Sequence, residues 1–222
     1  MSQPLQIDVF WSFRSPWSYL ATPRLVGMAE DYVLDVRFRP VYPIAIRTPD
    51  FFTSAPPQWP GYLVRDALRV AEFLGVPYTW PKPDPVQAQL VDGRPDYSVP
   101  QPYIHRLTRL GVVAQEQGRG LQFADEVSRM IWGGTENWHE GEHLAQASAR
   151  AGLDLVAMDA ELTAREPELE AAIVANQEAH HACGHWGVPT VAFQGEPFFG
   201  QDRLELLLWR LSQHGLQARV SD

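Results

Sequence analysis

Four groups of residues in this chain could do chemistry. Ser15-Pro16-Trp17-Ser18 lies where a strand-like stretch gives way to a helix-like one. Gly200-Gln201-Asp202 opens a helix-like stretch near the far end. His139-Glu140-Gly141-Glu142-His143 fits the letters of H-E-x-x-H, in which two histidines one helical turn apart hold zinc and the glutamate acts as base. His180, His181, Cys183 and His185 crowd together just before Gly187-Val188-Pro189.

Each group permits a definite chemistry and also a plainer reading. Ser15 as a helix cap with Pro16 after it leaves unpaired N–H groups at the helix start. An anion there gains about 0.3–1 kcal/mol when exposed and up to about 2 when partly buried. A cap hydroxyl that donates to a thiolate lowers the thiol pKa in the same direction. A plain helix start explains Ser15-Pro16 equally well. Asp202 can receive an ammonium group or can be an ordinary first-turn acid. Gly141 interrupts the H-E-x-x-H run, which is expected to be a loop entering a helix, and no third ligand is evident; zinc chemistry is not expected. The histidine and cysteine spacing matches no closed zinc pattern and reads as a partly exposed helix end, so no metal is expected. Cys183 is the sole cysteine. That excludes an intramolecular disulfide, a Cys-x-x-Cys centre and a multi-cysteine metal site. A free Cys183 thiol near the site stays open.

The elements that position these groups follow from periodicity. Leu5, Ile7, Val9 and Trp11 alternate with Gln6, Asp8 and Phe10 and predict a strand. Trp17, Leu20, Ala21, Leu25, Met28 and Ala29 predict a helix, with a kink at Pro23. Leu34, Val36 and Phe38 predict a second strand, ending near Pro40 and parallel to the first. At the far end Thr190 to Phe193 and Glu196 to Phe199 predict a hairpin turned at Gln194-Gly195. Leu204, Leu207, Leu208 and Leu211 share one face of a closing helix. Residues 41–186 read as an all-helical insertion. Helices are expected near Tyr62–Leu74, Tyr103–Glu116, Gln122–Ile131, Glu142–Ala151, Asp154–Leu162 and Pro167–His181, and irregular chain from Pro77 to Pro102.

Composition sets the outer limits. The chain has 222 residues, 45% of them hydrophobic and 20% charged, the balance of a globular protein. A net charge of −9 disfavours nucleic acid as a partner. No apolar run approaches the roughly 20 residues that span a bilayer, so no membrane segment is expected. Met1 to Ile7 lacks a basic then apolar leader, which makes the cytoplasm the expected location.

A βαβ unit and a ββα unit split by a helical insertion is the thioredoxin arrangement: an α/β, thioredoxin-like fold over residues 1–40 and 187–222, with residues 41–186 inserted. In that fold Ser15 and Ser18 stand where Cys-Pro-x-Cys would carry its sulfurs, and Val188-Pro189-Thr190 where a cis-proline faces the helix start. Asp8 to Ala21, Trp186 to Thr190 and Phe199 to Leu204 resemble the 2-hydroxychromene-2-carboxylate isomerases, relatives of kappa-class glutathione transferases in the DsbA-like branch. Tyr62 to Asp66, Phe73 to Pro77 and Glu116-Gln117-Gly118 resemble them too. The resemblance implies glutathione as cofactor. It implies that Ser15 hydrogen-bonds the sulfur, that the Val188 backbone before Pro189 pairs with the cysteinyl part, and that Gln201 and Asp202 hold the γ-glutamyl end. It implies a homodimer acting on a small aromatic carboxylate, isomerised about a double bond by reversible thiol addition. A kappa-like transferase or peroxidase and a redox-inactive binding protein are the alternatives. Phe13 and Trp17 are candidates for an aromatic substrate wall, or for core packing. Family members carry a lysine shortly before the position of Tyr62, where this chain has Gln58-Trp59-Pro60-Gly61. They also carry a short segment with an Asn-Thr pair, where Pro83 to Pro102 is longer and has none.

Overall fold

The computed structural model describes residues 3–219. Residues 1, 2 and 220–222, at the outer ends of the two expected thioredoxin-like segments, lie outside the described residues. The first strand, β1 (Leu5–Trp11), lies parallel to β2 (Leu34–Pro40), with Leu5 opposite Leu34 and Trp11 opposite Pro40. Helix α1 (Pro16–Asp31) makes the crossover. It runs through Pro23 as one element. Buried Trp11 ties it down: its indole N–H donates to Thr22 Oγ1 at 2.9 Å.

The insertion begins with two four-residue helices, α2 (Ile44–Arg47) and α3 (Phe51–Ser54), and the longer α4 (Trp59–Leu74). It continues through β3 (Gln89–Val91), β4 (Arg94–Asp96), α5 (Pro102–Glu116), α6 (Gly120–Trp132), α7 (His143–Arg150), α8 (Leu155–Ala164) and α9 (Glu166–Ala182). The insertion is therefore not all-helical. β3 and β4 form an exposed antiparallel hairpin within the stretch expected to be irregular. Asp92 (φ 51°) and Gly93 (φ 76°) turn it, the pair of positive φ values that a two-residue hairpin turn requires. Gln194 (φ 51°) and Gly195 (φ 83°) make the same turn between β5 (Thr190–Phe193) and β6 (Glu196–Phe199). The chain closes with a 3₁₀ turn at Gln201–Arg203 and α10 (Leu204–Gln213).

The main sheet has the order β2-β1-β5-β6, with β5 antiparallel to β1 and to β6. The fold is the α/β, thioredoxin-like one expected from a βαβ and a ββα unit, with β1 and β2 parallel as expected. Strand alternation gives each face its own packing. Ile7, Val9 and Trp11 enter the main core with Leu20, Leu25 and Phe38. Phe10 points the other way, to Val41 and Ala192 and to Ala179 and Cys183 at the end of α9. The main core runs without a break into Leu107, Phe123, Val127, Ile131 and Trp132 of the insertion, and α6 packs directly on α1. The two segments thus share one core. No helix among the described residues is long and apolar enough to cross a membrane.

Candidate functional site

The sheet and α1 meet at a cleft of about 330 Å³. Ser12, Arg14, Ser15, Pro16 and Trp17 supply one side, from the turn between β1 and α1. Trp186, Gly187 and Val188, the loop entering β5, supply a second, and Phe199 joins them from β6. Ile44, Ala45, Arg47, Phe51, Phe52, Trp59, Tyr62 and Leu63 of the insertion supply the third. The lining is largely apolar and aromatic, with two guanidinium groups.

Ser15 caps α1. Its backbone is extended (φ −101°, ψ 115°), and its Oγ accepts from the Ser18 N–H at 3.1 Å. The same hydroxyl donates to the Val188 carbonyl at 3.2 Å. The Val188–Pro189 peptide is cis. The helix start and the loop before β5 are thereby brought face to face, 173 residues apart in sequence. Beneath Ser15, whose N–H donates to the Ser12 carbonyl at 3.1 Å, Ser12 Oγ is buried with no hydrogen-bond partner among the described residues. At this end of α1 Pro16 has no N–H, and the N–H groups of Ser18 and Tyr19 are taken by Ser15, so the positive helix end and the Ser15 hydroxyl are what an anion there would meet.

The other candidates separate. Trp17 is half-buried and lines the cleft. Phe13 does not. It is 0% exposed, packs edge-on against Trp11 and Phe123, and accepts the Trp132 indole N–H on its carbonyl at 3.0 Å. The substrate-wall reading of Phe13 is corrected to core packing: in the turn after β1 its ring folds back onto Trp11 and Phe123 rather than into the cleft. Gln201 and Asp202 are not part of the cleft lining. Arg24 holds Gln201 through its backbone and side-chain oxygens. Asp202 is 59% exposed at its side chain and pairs with Arg203 at 2.6 Å.

The histidine groups also resolve. Gly141 (φ 58°) keeps His139 in a turn, and α7 begins only at His143, so the two do not share one helical turn. Among the described residues no cluster of histidine, cysteine and acidic groups could hold a metal ion. His180 is not at an exposed helix end: it is fully buried and stacked on Phe10 at 4.7 Å, and neither ring nitrogen has a hydrogen-bond partner among the described residues. Burial, helped by the positive charge of Arg47, pushes its pKa down to about 4. His185 stacks on Phe199 at 4.0 Å. Cys183 is outside the cleft lining and packs against the cluster of Phe10, Val41 and Ala192, and its thiol donates to the His180 carbonyl at 3.0 Å. Burial raises its pKa, the direction of an unreactive thiol.

Sequence reasoning missed Arg14 and Arg47. Arg14 makes a two-pronged ion pair with Asp84, at 3.1 and 2.9 Å, and lies over Trp80 and Phe52. Arg47 donates to the Tyr42 and Trp186 carbonyls. Burial pushes its pKa down to about 10. Nothing periodic marks either position, since both stand in loops or a four-residue helix.

A family model described as a DSBA-like thioredoxin domain matches residues 6–212. Among solved structures, a 2-hydroxychromene-2-carboxylate isomerase superposes with a TM-score of 0.70 at 22% identity, over 94% of this chain and 95% of that one. A probable DsbA oxidoreductase from Streptomyces coelicolor reaches 0.67 at 16% identity, over 98% and 93%. The cytosolic disulfide reductase DsbM from Pseudomonas aeruginosa, solved with GSH, reaches 0.61 at 22% identity, over 94% and 100%. No curated protein sequence matches the chain.

Proposed function

We propose, for a chain that belongs to the DSBA-like thioredoxin domain family, that the cleft at the start of α1 binds glutathione and serves a cis–trans isomerisation of the 2-hydroxychromene-2-carboxylate type. One observation carries this reading. The hydroxyl of Ser15 stands at the capped helix end, against the Val188 carbonyl, on the wall of an aromatic cleft. No protein sulfur is there, so the thiol must come from outside.

The residues fit the sulfur end of glutathione. Ser15 and the orphaned Ser12 hydroxyl are donors in waiting, and the Val188 carbonyl is an acceptor for a peptide N–H once Ser15 turns to a sulfur. At the other end, Gln201 and Asp202 would have to share their oxygens with Arg24 and Arg203. When bound, glutathione would supply a thiol able to add reversibly to a conjugated double bond. Ser15 and the α1 terminus would hold that thiol ionised at neutral pH. Trp17, Phe51, Phe52 and Trp59 would clamp a planar substrate and exclude water. The substrate in this reading is a small aromatic carboxylate, the working form a homodimer, and the location the cytoplasm.

Thermal unfolding with and without reduced glutathione tests the cofactor. At 100 times its dissociation constant a ligand stabilises by about 2.7 kcal/mol, roughly 5–10 °C for a domain of this size. The shift should shrink in Asp202→Ala. No shift at millimolar glutathione would sink the glutathione reading. A kappa-like transferase would consume glutathione stoichiometrically, whereas an isomerase would return it. A second reading, a binding protein that keeps the cleft and performs no chemistry, draws on the position of Gln201 and Asp202 outside the cleft lining.

A further inference from the structure

The two guanidinium groups of the cleft are in opposite electrostatic states. Arg14 is answered by both oxygens of Asp84. Arg47, at the end of α2, is met only by two neutral carbonyls, Tyr42 and, at 3.0 Å, Trp186. Among the described residues no carboxylate lies within ion-pairing distance of it. Around it stand aromatic walls, with Phe51 in contact with Trp59 at 5.6 Å and with Trp186 at 5.2 Å. A half-buried charge among apolar groups is costly unless an opposite charge meets it. The two carbonyls occupy two of the five N–H donors and hold the plane of the fork, leaving the others to a ligand. A planar fork of this kind matches a carboxylate with two parallel hydrogen bonds.

We propose that Arg47 is the carboxylate-binding group of this cleft, seating the acid of a ligand whose flat apolar part lies between Phe51, Trp59 and Trp186. The acid can belong to an aromatic substrate or to the terminal glycine of the thiol, and the chemistry at Arg47 is the same. The proposal deepens the reading above and rests on it for the identity of the cleft as the site.

Binding rather than turnover tests it, with two acid–neutral pairs. One pair is trans-cinnamate and cinnamamide. The other is reduced glutathione and its glycyl monoethyl ester. Titration calorimetry on the wild-type protein should show a preference for the acid of roughly 10- to 100-fold in at least one pair. Preference in the cinnamate pair assigns the acid to the substrate, and preference in the glutathione pair assigns it to the thiol. Arg47→Met keeps the aliphatic stem and should abolish the preference while leaving the neutral partner's affinity within about threefold. A merely structural Arg47 would weaken acid and neutral ligands alike. If Arg47→Met does not fold, Arg47→Gln, which can still donate to the two carbonyls, carries the same comparison. A wild-type protein with no acid preference in either pair, or a variant that keeps it, overturns the proposal. Glutathione that fails to bind any form, with a cinnamate preference that vanishes at Arg47→Met, would sink the thiol reading and leave the Arg47 assignment standing.

Discussion

The two sides of the cleft are built on different principles. The side at the start of α1 is made of ends: the turn that follows β1, a helix cap, and the loop into β5, tied together by the Ser15 bonds to Ser18 and Val188. The opposite side is made of α2, α3 and the first turn of α4, two four-residue helices and a helix terminus, and is held by rings touching rings. The first can fix an atom in place. The second can shape a surface and leave one charge, Arg47, facing it. In the proposed reading, positioning a sulfur and admitting a flat ligand would be separate tasks. Each is assigned to the region whose physics suits it.

The largest test asks whether the insertion and the sheet are one unit. Trp132 is fully buried in α6 and reaches across to the Phe13 carbonyl, while stacking on Tyr78. Trp132→Ala should cost about 3–5 kcal/mol in urea unfolding, and far-ultraviolet circular dichroism and tryptophan fluorescence should follow one transition. Two separated transitions would mean that the cleft's sides belong to independent units, and the comparison would have to be redrawn.

A smaller effect comes from behind the loop that carries Val188. His180 is neutral in the folded protein because burial depresses its pKa to about 4, against about 6.5 when unfolded. Its contribution is therefore complete above pH 6.5 and is lost as pH falls toward 4. The unfolded chain takes up a proton over that window and the folded one does not. The loss should approach about 3 kcal/mol. His180→Phe, which preserves the ring stack on Phe10, should flatten the profile between pH 6.5 and 4. An unchanged slope would place the acid sensitivity elsewhere.

Ser15→Ala separates the two sides chemically. Loss of the cap should cost about 1 kcal/mol of stability. The bound thiol's pKa should rise, and turnover at neutral pH should fall about tenfold or more. Affinity for an aromatic acid should hold, because the opposite side is untouched. Undiminished turnover at neutral pH would remove Ser15 from the mechanism.

How legible each region is follows from the same contrast. β1, α1, β2 and α10 are visible because each repeats apolar residues at period 2 or 3.6, and the β5–β6 hairpin because two short β-prone runs flank Gln194-Gly195. Ser15 is visible because caps have a chemistry of their own. The β3–β4 hairpin carries the same turn as β5–β6, but Pro95 in its second strand and the prolines around it mask the Asp92-Gly93 signal. Arg47 and Phe51 are not legible at all. Their role arises where α2 and α3 meet the loop before β5, some 140 residues away, and no local pattern encodes that meeting.

The finest test lies in one pair of neighbours. Phe13 and Trp17 flank Ser15 at similar distances in sequence, yet Phe13 belongs to the core and Trp17 to the cleft. Phe13→Leu keeps the site apolar but leaves a cavity in the core and should cost about 1–3 kcal/mol, with ligand affinity unchanged. Trp17→Leu should cost less, since the residue is already half in solvent, but should weaken an aromatic ligand several-fold by removing about 0.5–1.5 kcal/mol of ring contact. Calorimetric titration and urea unfolding on both variants give a crossed pattern if Phe13 serves the core and Trp17 the cleft. If Phe13→Leu weakens the ligand while Trp17→Leu does not, the wall beside Ser15 is formed by the aromatic residue before it rather than after.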